Sequence, residues 1–232
     1  MGHHMLAGNP PVALSLRHSA RARRISLRVS GLDGRVTLTI PRGVSEAEAL
    51  AFARSRADWL RGHLAGRPEQ IVVGLGCDLP VEGEILRIVP GTGRRIVRDA
   101  AQLCVPGPQE SVGARLEGWL KARARDRLAA ASDHYAALLG RRHTRLTLRD
   151  TRSRWGSCSA KGALGYSWRL ILAPPDVLNY VAAHEVAHLA QMNHSPAFWA
   201  EVERIYGPYQ EARGWLRTHG SDLHRFKFTT QA

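Results

Sequence analysis

Residues 174–199 read PPDVLNYVAAHEVAHLAQMNHSPAFW, and two helices separated by a turn are written into that run. Pro174-Pro175-Asp176 closes what precedes and opens a helix, with Asp176 as the expected N-cap. Val177 to Leu189 is an apolar helical segment, expected to end near Met192-Asn193. Ser195-Pro196 then forces a new start, because proline suits the first helical position, where no N–H is needed. Inside the first helix lies His184-Glu185-Val186-Ala187-His188. Four residues of helix advance about 6 Å and return within about 40° of the starting face. Both imidazoles therefore point the same way and can share one tetrahedral metal ion.

A catalytic zinc site needs a third protein ligand and an open fourth position. His194 follows His184 by ten residues, just past the point where the chain must turn, so it can swing back to the ion. One zinc ion held by His184, His188 and His194 is the expectation. Glu185 lies beside the open position without ligating, placed to take a proton from a metal-activated water as general base. A five-residue match alone arises by chance, but this one sits on an apolar helix after an apparent strand. Burying a polar His-Glu pair there is costly without a metal or other partners. A glutamate from the following helices (Glu201, Glu203 or Glu211) is the alternative third ligand.

Outward from this run the chain reads as α+β. Val12-Ala13-Leu14, Ile25 to Val29 and Val36 to Ile40 are short alternating strands, and Gly31, Asp33 and Gly34 suggest a hairpin between the later two. Ser45-Glu46-Ala47-Glu48 is a capping box before a helix expected to run to about Leu64. Short strands return between Ile71 and Val105, and Pro106-Gly107-Pro108 marks the expected domain boundary. A long helix from about Ser111 to Leu139 ends at Gly140. Leu146 to Arg149 and Leu164 to Leu172 read as strands flanking a polar loop, Arg152 to Gly162. Gly207-Pro208 ends the helix begun at Pro196, and a last helix covers about Tyr209 to His219. The expected organisation is residues 1–11 as a disordered cloning scar, 12–106 as a β-rich domain with one helix, and 107–232 as the catalytic domain.

Composition narrows the partners. Lys and Arg number 33 against 20 acidic residues, a net +13, and only Lys121, Lys161 and Lys227 are lysines. Arginine forks match phosphate and carboxylate, so nucleic-acid contact through a basic surface is one reading and a high-GC coding bias the other. No helix-turn-helix, finger or stacking motif accompanies the charge. Cys77, Cys104 and Cys158 are widely spaced, which excludes a disulfide framework or thiolate metal site and suggests a reduced, cytoplasmic setting. No apolar run is long enough to span a membrane and no leader opens the chain.

Particular words then place the chain. Leu148 to about Arg225 resembles the YgjP-like metallopeptidases, relatives of the SprT and Spartan proteases within the zincin group. The resemblance rests on Arg152-Ser153-Arg154-Trp155-Gly156-Ser157-Cys158-Ser159, Trp168-Arg169-Leu170, Leu172-Ala173-Pro174 and Tyr180-Val181. It continues through His184 to Leu189, Asn193-His194-Ser195-Pro196-Ala197-Phe198-Trp199, Tyr209 and Trp215-Leu216. Weaker matches, Arg23-Arg24, Pro41 and Trp59, extend it into the N-terminal half. It implies a zincin-like C-terminal domain with a backing helix, a small sheet and an active-site helix. It also implies zinc on His184, His188 and His194 with Glu185 as base, acting on a peptide or protein. The ligand spacing equals that of the metzincins, but Gln191 stands at their turn glycine and no Met-turn is evident.

Around that centre, Tyr209, His224 and Arg154 are the candidates, in that order, to stabilise the developing oxyanion. Arg154 and Ser157 can line a substrate groove, and the adjoining strand can pair with an extended peptide; the competing reading has Trp155 and Cys158 packing the domain and Arg154 in a structural ion pair. Cys158 has no local base to make it a nucleophile. Two other activities fit the same residues: a DNA-associated protease acting on DNA-bound protein, and a zinc amidohydrolase on a non-peptide substrate.

Overall fold

The computed structural model describes residues 2–30, 34–65 and 69–228, and the chain forms two compact units, Met1–Glu69 and Gln70–Ala232. Among the described residues the first unit holds β1 (Gly2–Leu6), β2 (Val12–Ser19), β3 (Ser26–Val29), β4 (Val36–Pro41), α1 (Glu46–Ser55) and α2 (Ala57–Ala65). The strands lie in the order β1-β2-β4-β3. Strand alternation puts Val12, Leu14 and Leu16 of β2 and Val36, Leu38 and Ile40 of β4 on one face. Ala49, Ala53 and Leu60 of the helices share that core. The expected hairpin is β3 and β4, antiparallel with Val29 opposite Val36. Gly34 donates to the Ser30 carbonyl at 2.9 Å, whereas Gly31 and Asp33 lie outside the described residues.

Two expectations change here. Gly2 to Met5, read as a scar, is strand: β1 runs antiparallel to β2 with Leu6 opposite Val12. The reason is that the edge of β2 offers unpaired backbone groups, and Leu6, 2% exposed, completes the apolar face. The N-cap half of the capping box forms, with the Ser45 hydroxyl accepting from the Glu48 N–H at 3.2 Å. The helix it starts does not reach Leu64 unbroken, however. Ser55 turns its hydroxyl to the Phe52 carbonyl at 2.8 Å, and Arg56 leaves helical geometry at φ −109°, ψ 12°. Such local side-chain bonds compete with the helix ladder.

The second unit begins with β5 (Ile71–Val72), β6 (Asp78–Val81), β7 (Glu84–Pro90), β8 (Val97–Asp99) and β9 (Gln102–Val105), followed by α3 (Gln109–Leu139). Strands β6 to β9 form a sheet in the order β6-β7-β9-β8. The boundary expected at Pro106-Gly107-Pro108 therefore falls inside this unit and turns β9 into α3. Leu79, Val81, Leu86, Ile88, Leu103 and Val105 have no helix of their own to cover them. They share one core with Val112, Leu116, Leu120, Ala124 and Leu128 of α3. That spacing of four keeps a single apolar stripe along a helix about 46 Å long. Gly140 ends α3 in the left-handed region at φ 68°, as its sequence position requires.

Beyond α3 come β10 (Arg145–Arg149), β11 (Gly156–Cys158) and β12 (Ala163–Ser167), in the order β10-β12-β11. Helices α4 (Pro175–Ala187), α5 (Pro196–Tyr206) and α6 (Gln210–His219) follow, and β13 (Phe226–Lys227) pairs with β5. Leu164 to Leu172, read as one strand, changes at Trp168 into a 3-10 turn, Trp168–Leu172. All five of those side chains, Arg169 among them, are buried, so they carry no in-out alternation, and a run without a period does not declare its type. Asp176 is not the N-cap of α4: Pro174 holds that place with Pro175 behind it. The Pro174 carbonyl accepts from Val177 at 3.0 Å. The class is α+β, and among the described residues no helix is long and apolar enough to cross a membrane.

Candidate metal centre and active site

Helix α4 packs its apolar residues against α3 and delivers His184 and Glu185 from its last turn. It stops at Ala187, earlier than Met192-Asn193, and His188 is its C-cap. The chain then tightens: Leu189 donates to the Val186 carbonyl at 2.9 Å and Gln191 to the Ala187 carbonyl at 3.0 Å. His188 Nδ1 lies 3.0 Å from the Gln191 carbonyl oxygen. That contact places the proton on Nδ1 and leaves the Nε2 lone pair free. Asn193 closes the next turn, its Oδ1 accepting from the Ser195 N–H at 3.2 Å. Pro196 then begins α5, and His194 points back over α4.

The three histidines converge. One ring nitrogen from each of His184, His188 and His194 lies within 4.8 Å of the others. Their ring centroids are 5.1, 5.1 and 4.9 Å apart, and His194 Nε2 comes to 3.1 Å from His184 Nε2. Nitrogens bound tetrahedrally at 2.0–2.1 Å from zinc stand roughly 3.4 Å apart, close to the separation of the His184 and His194 nitrogens. Among the described residues no carboxylate joins this cluster. Glu201, one of the alternative ligands, is bound by Arg204 at 2.7 Å.

Burial favours the neutral form of two of the rings, His184 and His188. Burial pushes His184 down to about 3, helped by the charges of His188, His194 and Arg213. Burial lowers His188 as well, against the Gln191 hydrogen bond. Neutral imidazole is the form that binds metal. His184 Nδ1 is buried and meets no hydrogen-bond partner among the described residues. Phe198 stacks on His188 at 4.4 Å and meets His184 edge-on at 4.9 Å, closing the back of the cluster. The donor set and its tautomer fit a divalent ion of borderline softness such as zinc.

Glu185, 6% exposed, lies against β11. A Cβ on Gly156 would come within 2.5 Å of Glu185 Cγ and 2.7 Å of its Cδ, so only glycine leaves room for this carboxylate. Burial raises Glu185 to about 8, opposed by the charge of Arg154. Both residues line a cavity of about 460 Å³ with the three histidines, Tyr180 and Ser157. Arg154 forms no ion pair among the described residues, its charge acting instead on Glu185. Cys158 is in the same wall, but burial and then Glu185 push its thiol to about 11, which keeps it protonated and inert.

Tyr209 and His224 stand elsewhere. Tyr209 stacks on Tyr180 at 6.1 Å and on Trp199 at 4.9 Å, bracing the wall rather than lining it. His224 is buried beside Trp155, ring centroids 5.2 Å apart. The residue the sequence reading passed over is Tyr180. It precedes His184 by four positions, hence occupies the same helix face, and that spacing was the available signal. Burial raises its hydroxyl to about 12, so it stays a donor.

The family described as YgjP-like, metallopeptidase domain, matches residues 23–219. No curated protein matches the chain. Among solved structures, the metallopeptidase zymogen of Pyrococcus abyssi abylysin is similar to it at 23% identity and a TM-score of 0.36, over 39% of this chain and 92% of that one. With 197 of its 232 residues inside the family match, the chain belongs to the YgjP-like metallopeptidase family.

Proposed function

We propose that the protein is a zinc peptidase of the zincin plan, with α3 as backing helix, β10 to β12 as the small sheet and α4 as the active-site helix. His184, His188 and His194 hold one zinc ion. When bound, zinc supplies Lewis acidity, lowering the pKa of a water and polarising the scissile carbonyl. The observation that carries the reading is the convergence of three imidazoles, one with its tautomer fixed, beside a buried carboxylate.

Glu185 is the general base: its Oε takes the proton from the attacking water and passes it to the leaving amine nitrogen. Burial suits that task by drawing the carboxyl toward neutrality, and Gly156 sets its position. Arg154 and Tyr180 face the same space and supply donors for the developing oxyanion. Tyr209 contributes through Tyr180, which it holds by stacking. Strand β11 is an edge of its sheet, so its outer backbone groups can pair with an extended peptide and align it.

Glu185→Gln separates chemistry from metal binding. The variant should hold zinc at the parent stoichiometry by atomic absorption while peptide turnover drops at least about a hundredfold. Undiminished cleavage by that variant would refute the assignment of the base.

A further inference from the structure

The sheet beside the metal centre has two faces, and the chemistry so far uses one. Leu146, Leu148 and Cys158 turn toward the core, as do Leu164 and Tyr166, which are 1% and 2% exposed. Period-two alternation sends their neighbours the other way. Register then sets Thr147, Gly165 and Ser157 side by side across the three strands, with Arg145 and Arg149 flanking Thr147 along β10. These residues line a cavity of about 280 Å³ together with Arg154. Its lining includes three arginines and no carboxylate. Arg145 and Arg149 engage no carboxylate or hydrogen-bond acceptor among the described residues.

The floor is kept open. A Cβ on Gly165 would come to 2.8 Å from Ser157 Oγ and 3.5 Å from Thr147 Oγ1, so glycine leaves a depression walled by two hydroxyls under the guanidiniums. Thr147 Oγ1 already donates to the Leu164 carbonyl at 3.3 Å, so the donors over the recess are the Ser157 hydroxyl and the arginine forks, which suit a carboxylate. Arg154, Gly156, Ser157 and Cys158 border this cavity and the metal-lined one alike. Strand β11, which separates them, is the edge strand.

We propose that this cavity is an anionic subsite that receives an acidic side chain of the peptide substrate. The inference rests on the peptidase reading above and deepens it. A peptide extended along β11 places alternate side chains on opposite faces of the sheet. Those on the α4 face meet the metal centre, and those between them enter the basic recess. Nucleic acid suits the recess less well. Its one aromatic liner, Tyr166, is turned inward, with its hydroxyl 3.0 Å from Ser132 Oγ, so no stacking platform faces outward.

The test uses the full-length, zinc-loaded protein and two pooled peptide libraries that differ only in Glu against Gln. Binding is read on Glu185→Gln, with and without the added pair Arg145→Gln and Arg149→Gln; cleavage is read on the parent with and without the same pair. The expected result is a preference for the Glu library of at least about tenfold, collapsing to near parity when both arginines are replaced. No preference in the parent, or one that survives the double replacement, overturns the subsite. Equal cleavage of both libraries leaves the peptidase standing and removes the subsite, whereas selective binding without cleavage removes the peptidase and keeps the subsite. A duplex oligonucleotide whose binding depends on the two arginines, with no Glu preference among peptides, assigns the recess to phosphate instead.

Discussion

Gly156 shows how far one residue's absence of a side chain reaches. Its α-carbon faces the Glu185 carboxylate so closely that a methyl group would displace the carboxylate. Gly156→Ala should therefore lower kcat by about a hundredfold, the cost of roughly 1 Å of misplacement, while zinc content stays at the parent value. Parent-like kcat in that variant would show that the carboxylate does not work from this position. The histidine spacing at positions 184, 188 and 194 was legible in the chain, because helix geometry alone fixes which residues share a face. The meeting of Gly156 with Glu185 was not, since 29 positions separate them and no local rule brings β11 to α4. Tyr180 shared the legible spacing with His184, yet only its place in the wall distinguishes it from an ordinary core tyrosine.

At the scale of elements, α3 carries the frame. Its stripe from Val112 to Leu128 joins the β6–β9 sheet to α4, and Leu120 has no exposed surface. Leu120→Ala should destabilise the second unit by about 2–5 kcal/mol, from lost burial and the cavity left behind. Urea unfolding followed by circular dichroism measures this, and a change below about 1 kcal/mol would mean that the stripe is not the shared core. Element ends were well signalled wherever a backbone rule operates: Gly140 and Gly207 stop helices and Pro196 starts one. They were poorly signalled where packing decides. Trp168 to Leu172 is buried throughout, Arg169 included, and only its contacts with α3 and the C-terminal turn settle a 3-10 path over a strand. The break of α1 from α2 at Arg56 rests likewise on a hydroxyl bond from Ser55 that serine does not always make.

Over the whole molecule, two linkages should be measurable. The proposed zinc ion binds the folded cluster, so it adds stability in proportion to its saturation, about 4 kcal/mol at a thousandfold excess over Kd. Chelation should lower Tm by several degrees and zinc, but not magnesium, should restore it; a Tm indifferent to chelator would argue against a folded-state site. The second linkage is acid. Burial, ahead of the charges of Arg169 and Arg152, pushes His224 down to about 4 despite Asp150. The unfolded chain thus takes up this proton near pH 6.5 and the folded one only near 4. Stability contributed by neutral His224 is complete above 6.5 and is lost as pH falls between those values, on the order of 3 kcal/mol. His224→Gln should flatten that slope in denaturant titrations at stepped pH, and an unchanged slope would place the proton uptake elsewhere. The net charge of +13 adds self-repulsion but carries no such pH step, because arginine does not titrate in this range.

Periodicity, caps and the His-Glu-x-x-His spacing act over a few residues, so the amino-acid order by itself determined the α+β class, the helix that carries His184 and Glu185, and the three convergent histidines. Tertiary structure alone decided what meets across long separations: β1 as a strand on β2 and residues 71–105 inside the second unit. It alone also brought Gly156 under Glu185 and opened a basic recess on the far face of the small sheet. Pairing partners and shared cores depend on which surfaces remain to be covered after local structure forms, and that is a property of the assembled chain rather than of any stretch of it.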